Sequence, residues 1–341
     1  MTQVKPCHCL ITHMHLSNFR VGTFNLYNLV LPNTVYYDRQ KYSVQDYNRK
    51  VRWLGGQLDR MQADIIGFQE LFHPQALEAV VNQSDYLKGC KIAAAQPSET
   101  GPGVAIASRL PILEYHSIED FPEAAWLDIE EAEIPLRKFS RPVLLARLLL
   151  REGLECMVLV AHLKSKRPIL PEDVDRQDPV ELAKGQARAL IRRAAEATAL
   201  RAVLMEVLQD RNFPVIALGD LNDNGMAVTT QMIAGEPPWY KQPLEQRKKV
   251  WDVHLYQVKD IQARLGYGDF YYTHLHNGHH EALDHILVSQ EFVAQYPNRI
   301  GRVSYVSVFN DHLVDETISR QGVAKWQSDH GQVVAAIELE G

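Results

Sequence analysis

The feature that most constrains this chain is a series of short apolar runs that each end in a polar side chain. The sharpest is Phe213-Pro214-Val215-Ile216 leading into Ala217-Leu218-Gly219-Asp220-Leu221-Asn222-Asp223-Asn224. A continuous apolar run of this length reads as a strand buried on both faces. Asp220 and Asn222 are two apart, so on extended backbone they project to one side. Alone, such a pattern is also an ordinary turn, because Asp and Asn terminate strands. The rest of the chain has to decide.

Other runs repeat the arrangement. Phe19–Leu26 alternates as a strand does and carries Asn25 near its end. Asp64-Ile65-Ile66-Gly67-Phe68-Gln69-Glu70 runs into Glu70, and Leu154–His162 into His162. Asp284 opens an apolar run, and Asp329-His330 precedes the strand Gln332–Leu339. Strand-like segments also cover Cys90–Ala95, Gly103–Ser108, Ile112–Ile118, Pro142–Leu150 and Val303–Val308. Arg151-Glu152-Gly153 joins an antiparallel hairpin, and Asn277-Gly278 is a favoured two-residue hairpin turn.

Helices come singly. From Ser43, Tyr47, Val51, Leu54, Leu58 and Met61 form one apolar stripe. Pro74 opens a second helix. Asp178-Pro179-Val180-Glu181 is a strong start for a third, which continues to about Leu208. Glu119–Arg141 has no clear period and is expected as a surface excursion near the site; residues beyond Pro237-Pro238 are irregular until Tyr271. Strands that cluster while helices come singly suit an α/β sandwich with largely antiparallel sheets.

Composition narrows the function classes. The 341 residues are 46% hydrophobic and 23% charged, and no run is apolar enough to span a bilayer. A net charge of −6 argues against coating nucleic acid by bulk electrostatics, but not against gripping a few phosphates locally. Four cysteines suggest no disulfide framework. The first residues lack the pattern of a cleaved signal, so cytoplasm is the expected compartment. Residues 1–19 are expected as a loose extension before a single domain over 20–341. The Cys7-His8-Cys9 group with His13 and His15 fits no common zinc spacing.

The ordered set TFNLYN, DIIGFQE, GVAIASRLP, LVAHLKS, ALGDLND, ALDHILVS and SDHGQV spans residues 20–338. In that order the chain resembles the endonuclease/exonuclease/phosphatase family, the deoxyribonuclease-I-like superfamily. The resemblance implies a four-layered α/β sandwich, two packed, mostly antiparallel sheets flanked by helices, with the site at one sheet edge. It implies Mg²⁺-dependent hydrolysis of a phosphate ester, with Mn²⁺ as a substitute. Glu70 suits Mg²⁺ as a hard oxygen ligand, and by resemblance Asn25 and Asp329 complete or orient its shell. His330 is the expected general base, oriented by Asp284. Asp220 and Asn222 position the attacking water, and His162 acts as an imidazolium on a phosphoryl or leaving oxygen. Lys164, Lys166 and Arg109 are expected to meet substrate phosphates.

Where the family's pattern has an aromatic after the orienting Asp, this chain has His285. His274, His276, His279, His280 and His285 are expected mainly at a solvent-exposed hairpin tip, although His274 and His276 would face one side together. The expected function is a nuclease or phosphodiesterase acting on nucleic acid, with no obligate protein partner evident. The alternative is a phosphatase or phosphodiesterase of a lipid headgroup or small ester, supported if Tyr36–Tyr47 or Pro237–Tyr240 flanks the cleft. A binding protein that lost its chemistry is disfavoured because every expected position holds a competent residue.

Overall fold

The computed structural model describes residues 16–37, 40–97, 101–209, 211–239, 241–266, 271–319 and 322–340. The Cys7–His15 group, Asp38, Arg39 and Tyr240 lie outside the described residues. In the first half, β1 (Asn18–Leu29) leads through α1 (Val44–Met61) to β2 (Ile65–Leu71) and α2 (Pro74–Gln83). Next come β3 (Lys91–Ala95), β4 (Gly103–Ser108), β5 (Ile112–Asp120) and two short strands, β6 (Asp128–Ile129) and β7 (Ala132–Glu133). The long hairpin β8 (Lys138–Arg151) and β9 (Leu154–His162) follows, then α3 (Pro179–Leu208) and β10 (Val215–Asp220). Three helices, α4 (Val228–Ala234), α5 (Leu244–Val253) and α6 (Val258–Leu265), surround β11 (Leu255–Gln257). The remainder is β12 (His274–His276), β13 (His279–Glu281), β14 (Asp284–Ser289), β15 (Gly301–Phe309) and β16 (Gln332–Leu339).

The strands form two six-stranded sheets, ordered β15-β16-β1-β2-β4-β3 and β11-β14-β10-β9-β8-β5. Each has a single parallel pair, β1 with β2 and β9 with β10. In both cases a helix makes the crossover, as a parallel connection requires. The remaining pairs are antiparallel. The four-layered sandwich expected from the sequence is therefore the observed fold.

Alternation along the strands builds three cores. Ile65, Val160, Leu218, Ile286 and Ala335 point between the sheets. Ile66 and Phe68 point outward under α1, where Leu54 and Leu58 meet them. Leu159, Ala217 and Leu287 pack under α3 against Leu200 and Leu204. Gly67 brings the sheets together: a Cβ there would stand 2.1 Å from Leu218 Cδ1. The expected stripe of α1 is buried and Ser43 caps the helix, its Oγ accepting from Asp46 N.

Three expectations need correction. β1 begins at Asn18 and buries Phe19 against the inter-sheet core, so the ordered strand takes in the last two residues assigned to the extension. The 119–141 segment is no plain surface excursion, since Phe121, Ala125 and Phe139 are buried with α3. The stretch after Pro238 holds α5, β11 and α6. Among the described residues, no helix is long and apolar enough to cross a membrane, and Cys90 and Cys156 are free.

Candidate active site

Parallel pairing brings the carboxyl ends of β1 and β2 side by side, and likewise those of β9 and β10. Asn25 stands opposite Gln69, and His162 opposite Asp220. Across the sandwich the two edges are tied by one hydrogen bond: Asn25 Nδ2 donates to Asp220 Oδ2 at 3.0 Å. Asn25 Oδ1 accepts from Tyr27 N at 2.9 Å. Both ends of its buried amide are thus engaged, while Oδ1 keeps a second lone pair that a ligand could use.

Glu70 is aimed by irregular backbone. The pairing of β1 with β2 slips between Asn25 and Leu29, and that of β2 with β4 between Phe68 and Leu71. Tyr27, Asn28 and Glu70 have φ of 50°, 57° and 60°. Non-glycine residues rarely occupy that region, and they concentrate at functional sites. Asn28 N donates to Glu70 Oε2 at 2.9 Å, fixing one carboxylate oxygen.

On the second sheet, Asp220 lies between two imidazoles. Its Oδ2 is 3.4 Å from His162 Nε2 and 3.8 Å from His330 Nε2. His330 Nδ1 is 2.8 Å from Asp284 Oδ2, and Asp284 is fully buried. Asn222, with φ 55°, donates its backbone N–H to Asp220 Oδ1 and its side-chain Nδ2 to Leu163 O. Ser328 Oγ donates to Asn25 O and accepts from His330 N, which joins the Asp329-His330 loop to β1.

Electrostatics divides these groups. Burial raises the Asp220 carboxyl to about 7, with the Asp284 charge adding to it. Burial would lower His330, but the Asp284 and Asp220 carboxylates overcome it and hold the imidazole well above its ordinary value. His162 goes the other way: burial, then Arg141, His330 and Lys164, push it well below. Burial first, and the neighbouring cations after it, thus disfavour the imidazolium expected at His162. Burial and repulsion from Glu70 raise Asp329 to about 6. Two mutually repelling carboxylates at the bulged edge are a donor set that fits a hard divalent cation.

Several expected contacts fall differently. Arg109 pairs with Asp64 at 2.9 Å and stacks over Tyr86. β4 runs antiparallel to β2, so Arg109 sits at the opposite sheet edge, roughly 20 Å along the strand from Glu70. It cannot meet a substrate at this site. Lys164 Nζ donates to the Ser165 and Arg167 carbonyls, and burial lowers it to about 8. Lys166 Nζ donates to Glu281 Oε1 on β13 at 2.5 Å. Arg141, unflagged in the sequence, donates to Leu163 O and acts on both His162 and Tyr37.

The histidine hairpin splits. His276, His279 and His280 are exposed as expected. His274 is not: its ring lies 4.9 Å from that of His330, and β-bridge pairing joins the two residues. Burial and the His330 charge lower it to about 3. His285 points to the opposite face of β14 and bonds Asp223 O at 2.8 Å, a structural tie in place of an aromatic wall. Lys50 also escaped the sequence. Fully buried on α1, its Nζ donates to Lys325 O and Gln327 O, behind the loop that carries Asp329 and His330.

The Endonuclease/Exonuclease/phosphatase family model matches residues 22–330. No curated protein matches the sequence. Among solved structures, the human Nocturnin catalytic domain with bound sulfate is similar at 15% identity and a TM-score of 0.56, covering 96% of each chain. A humanized Danio rerio TDP2 is similar at 16% identity and a TM-score of 0.55, covering 94% of this chain and 99% of that one. A mannosyl-6-phosphatase from Bacteroides thetaiotaomicron has 17% identity and a TM-score of 0.51, with 95% and 100% covered. At these identities the likeness speaks to the fold.

Proposed function

Because the chain belongs to the endonuclease/exonuclease/phosphatase family of metal-dependent phosphoric ester hydrolases, we propose that it hydrolyses nucleic-acid phosphodiester bonds with Mg²⁺, or Mn²⁺ in its place. The observation that carries this reading is the buried line Asp284–His330–Asp220–His162, with contacts of 2.8, 3.8 and 3.4 Å. A phosphodiester is anionic, so its hydrolysis needs charge neutralised and a water deprotonated. Glu70 and Asp329 would hold the divalent ion, which would supply stabilisation of charge on the phosphoryl oxygens.

Asp220 and His330 act as one acid–base pair. Asp220, raised to about 7, is poised to take the proton of the attacking water near neutral pH. His330, kept cationic by Asp284, faces the phosphoryl group as a donor. That arrangement departs from a simple His330 base, since three carboxylates surround the ring. Asn25 and Asn222 hold Asp220 in place from either side. His162 stands 3.4 Å from Asp220 as a buried neighbour whose surroundings disfavour its charged form.

The exposed Tyr37 ring, held at φ 41° with Arg141 and Arg167 acting on its hydroxyl, belongs to the Tyr36–Tyr47 loop expected to favour the lipid or small-ester alternative, and it equally offers a base a face to stack on. An aromatic face beside guanidinium groups is what stacking on a base and pairing with phosphate require. The net acidic balance favours short single strands over long duplex. A second reading, a phosphatase of small esters, is favoured by a pocket of about 200 Å³ beside Asp329 and His274, which suits a compact group.

The test is Mg²⁺-dependent hydrolysis of single-stranded DNA, RNA, duplex DNA and sugar phosphates, with His330→Ala and Glu70→Ala alongside. Cleavage of single strands that vanishes in both variants is expected. Turnover of sugar phosphates alone would replace the nuclease reading with the second one.

A further inference from the structure

His274 has no role in the reaction derived above, yet its ring is packed against the site. The backbone holds it there. Thr273 O accepts from Gly331 N at 2.7 Å, and His274 bridges to His330. Its Nδ1 is buried without a hydrogen-bond partner in the protein. His274, Asp329 and His330 each bring one ligand atom to within 4.8 Å of the other two.

We propose that His274, Asp329 and His330 form a binding site for a borderline-soft transition-metal cation, Zn²⁺ foremost, whose occupancy shuts the enzyme off. Two imidazoles and one carboxylate, with a fourth position open to water, are a donor set that Zn²⁺ takes readily. Mg²⁺ prefers oxygen and keeps its waters, so this set discriminates against it. His330 is already turned for the purpose. With Nδ1 on Asp284, its Nε2, 3.8 Å from Asp220 Oδ2 and without a hydrogen bond, is left to ligate, and a carboxylate behind the ring is the usual support of a metal-bound histidine. Tetrahedral zinc wants donor atoms about 3.4 Å apart, so the ligands must close by up to about 1.4 Å. The short hairpin carrying His274, with three residues in each strand, can supply that movement.

A zinc ion there would occupy the Nε2 of His330 and draw off Asp329, removing half of the acid–base pair. This mode of inhibition rests on the role given above to His330. Zinc binding itself does not.

The experiment is calorimetric titration of ZnCl₂ into the metal-stripped full chain in excess Mg²⁺, for wild type, His274→Ala and His274→Gln. One site per chain is expected, weakened more than about ten-fold in both variants. Independently of any variant, the Co²⁺-substituted wild type should give visible bands of a nitrogen- and oxygen-ligated tetrahedral ion. Equal affinity in wild type and variants would overturn the proposal. So would a thiolate-to-cobalt band, which would assign the metal to cysteine. If Zn²⁺ binds as expected but no phosphate ester is turned over in Mg²⁺, the proposed function fails and the zinc site stands. If hydrolysis proceeds and saturating Zn²⁺ leaves it unchanged, the inhibitory site fails and the function stands.

Discussion

Replacing Lys50 with Met should remove a pH dependence from the stability of the whole fold. The Lys50 ammonium is buried over the rings of Tyr27 and Tyr42, at 5.3 and 5.4 Å, and burial lowers it from 10.5 to about 7. Its two carbonyl partners, at 3.3 and 3.2 Å, match the two N–H groups of a neutral amine. Between pH 7 and 10.5 the unfolded chain therefore holds a proton on Lys50 that the folded chain releases. Stability then rises with pH across that window, and below pH 7 the full cost of burying the charge is present. Integrated from pH 7 to pH 9, the gain is about 2 kcal/mol. Lys50→Met also strands two carbonyls, which costs about 1–3 kcal/mol each but does not vary with pH. Urea unfolding of both proteins at pH 7, 8 and 9 measures the difference, and other titrating groups cancel in the comparison. The gap between wild type and variant should widen in favour of wild type as pH rises. Parallel pH profiles would refute the argument, because a side chain that folds without losing its proton contributes no slope.

Gly219→Ala should destabilise the fold by about 3 kcal/mol or more and abolish hydrolysis. With φ 142°, a Cβ there would stand 1.9 Å from Ala161 O and pry β10, with Asp220, away from β9; thermal unfolding and turnover report the two effects. Asp284→Asn preserves volume but denies His330 its anionic partner, so kcat should fall by about 10³-fold or more with little change in KM, measured under saturating Mg²⁺. Chelation by EDTA should abolish hydrolysis, and activity should return with Mg²⁺ or Mn²⁺ but not with K⁺.

Much of the site was legible because apolar strands that end in polar residues announce a sheet edge. Asn25, Glu70, His162 and Asp220 were readable on that ground, and Asp284 and His330 as polar residues at or just before the start of an apolar strand. Arg109 shows the limit of the reasoning: it too ends a strand, but sequence alone does not say which edge an antiparallel strand ends on. Lys50 was hidden because an α1 lysine between apolar stripe positions reads as solvated. His274 was visible as one of several histidines, and only the bridge to His330 separates it from the exposed ones. The helix α5 left no signal because none of its residues is buried, so no apolar stripe had to be written into it.

The strand order also sets a schedule for the growing chain. β16 lies between β1 and β15, so β1 emerges from synthesis with one hydrogen-bonding edge bare and keeps it until Gln332–Leu339 has been made. Throughout that interval the edge is open to pairing with another chain. The second sheet draws on residues 112–289 and can assemble earlier. Asp329 and His330 arrive just ahead of the strand that closes the first sheet. A shortage of chaperone should therefore show first as aggregation through the bare edge of β1.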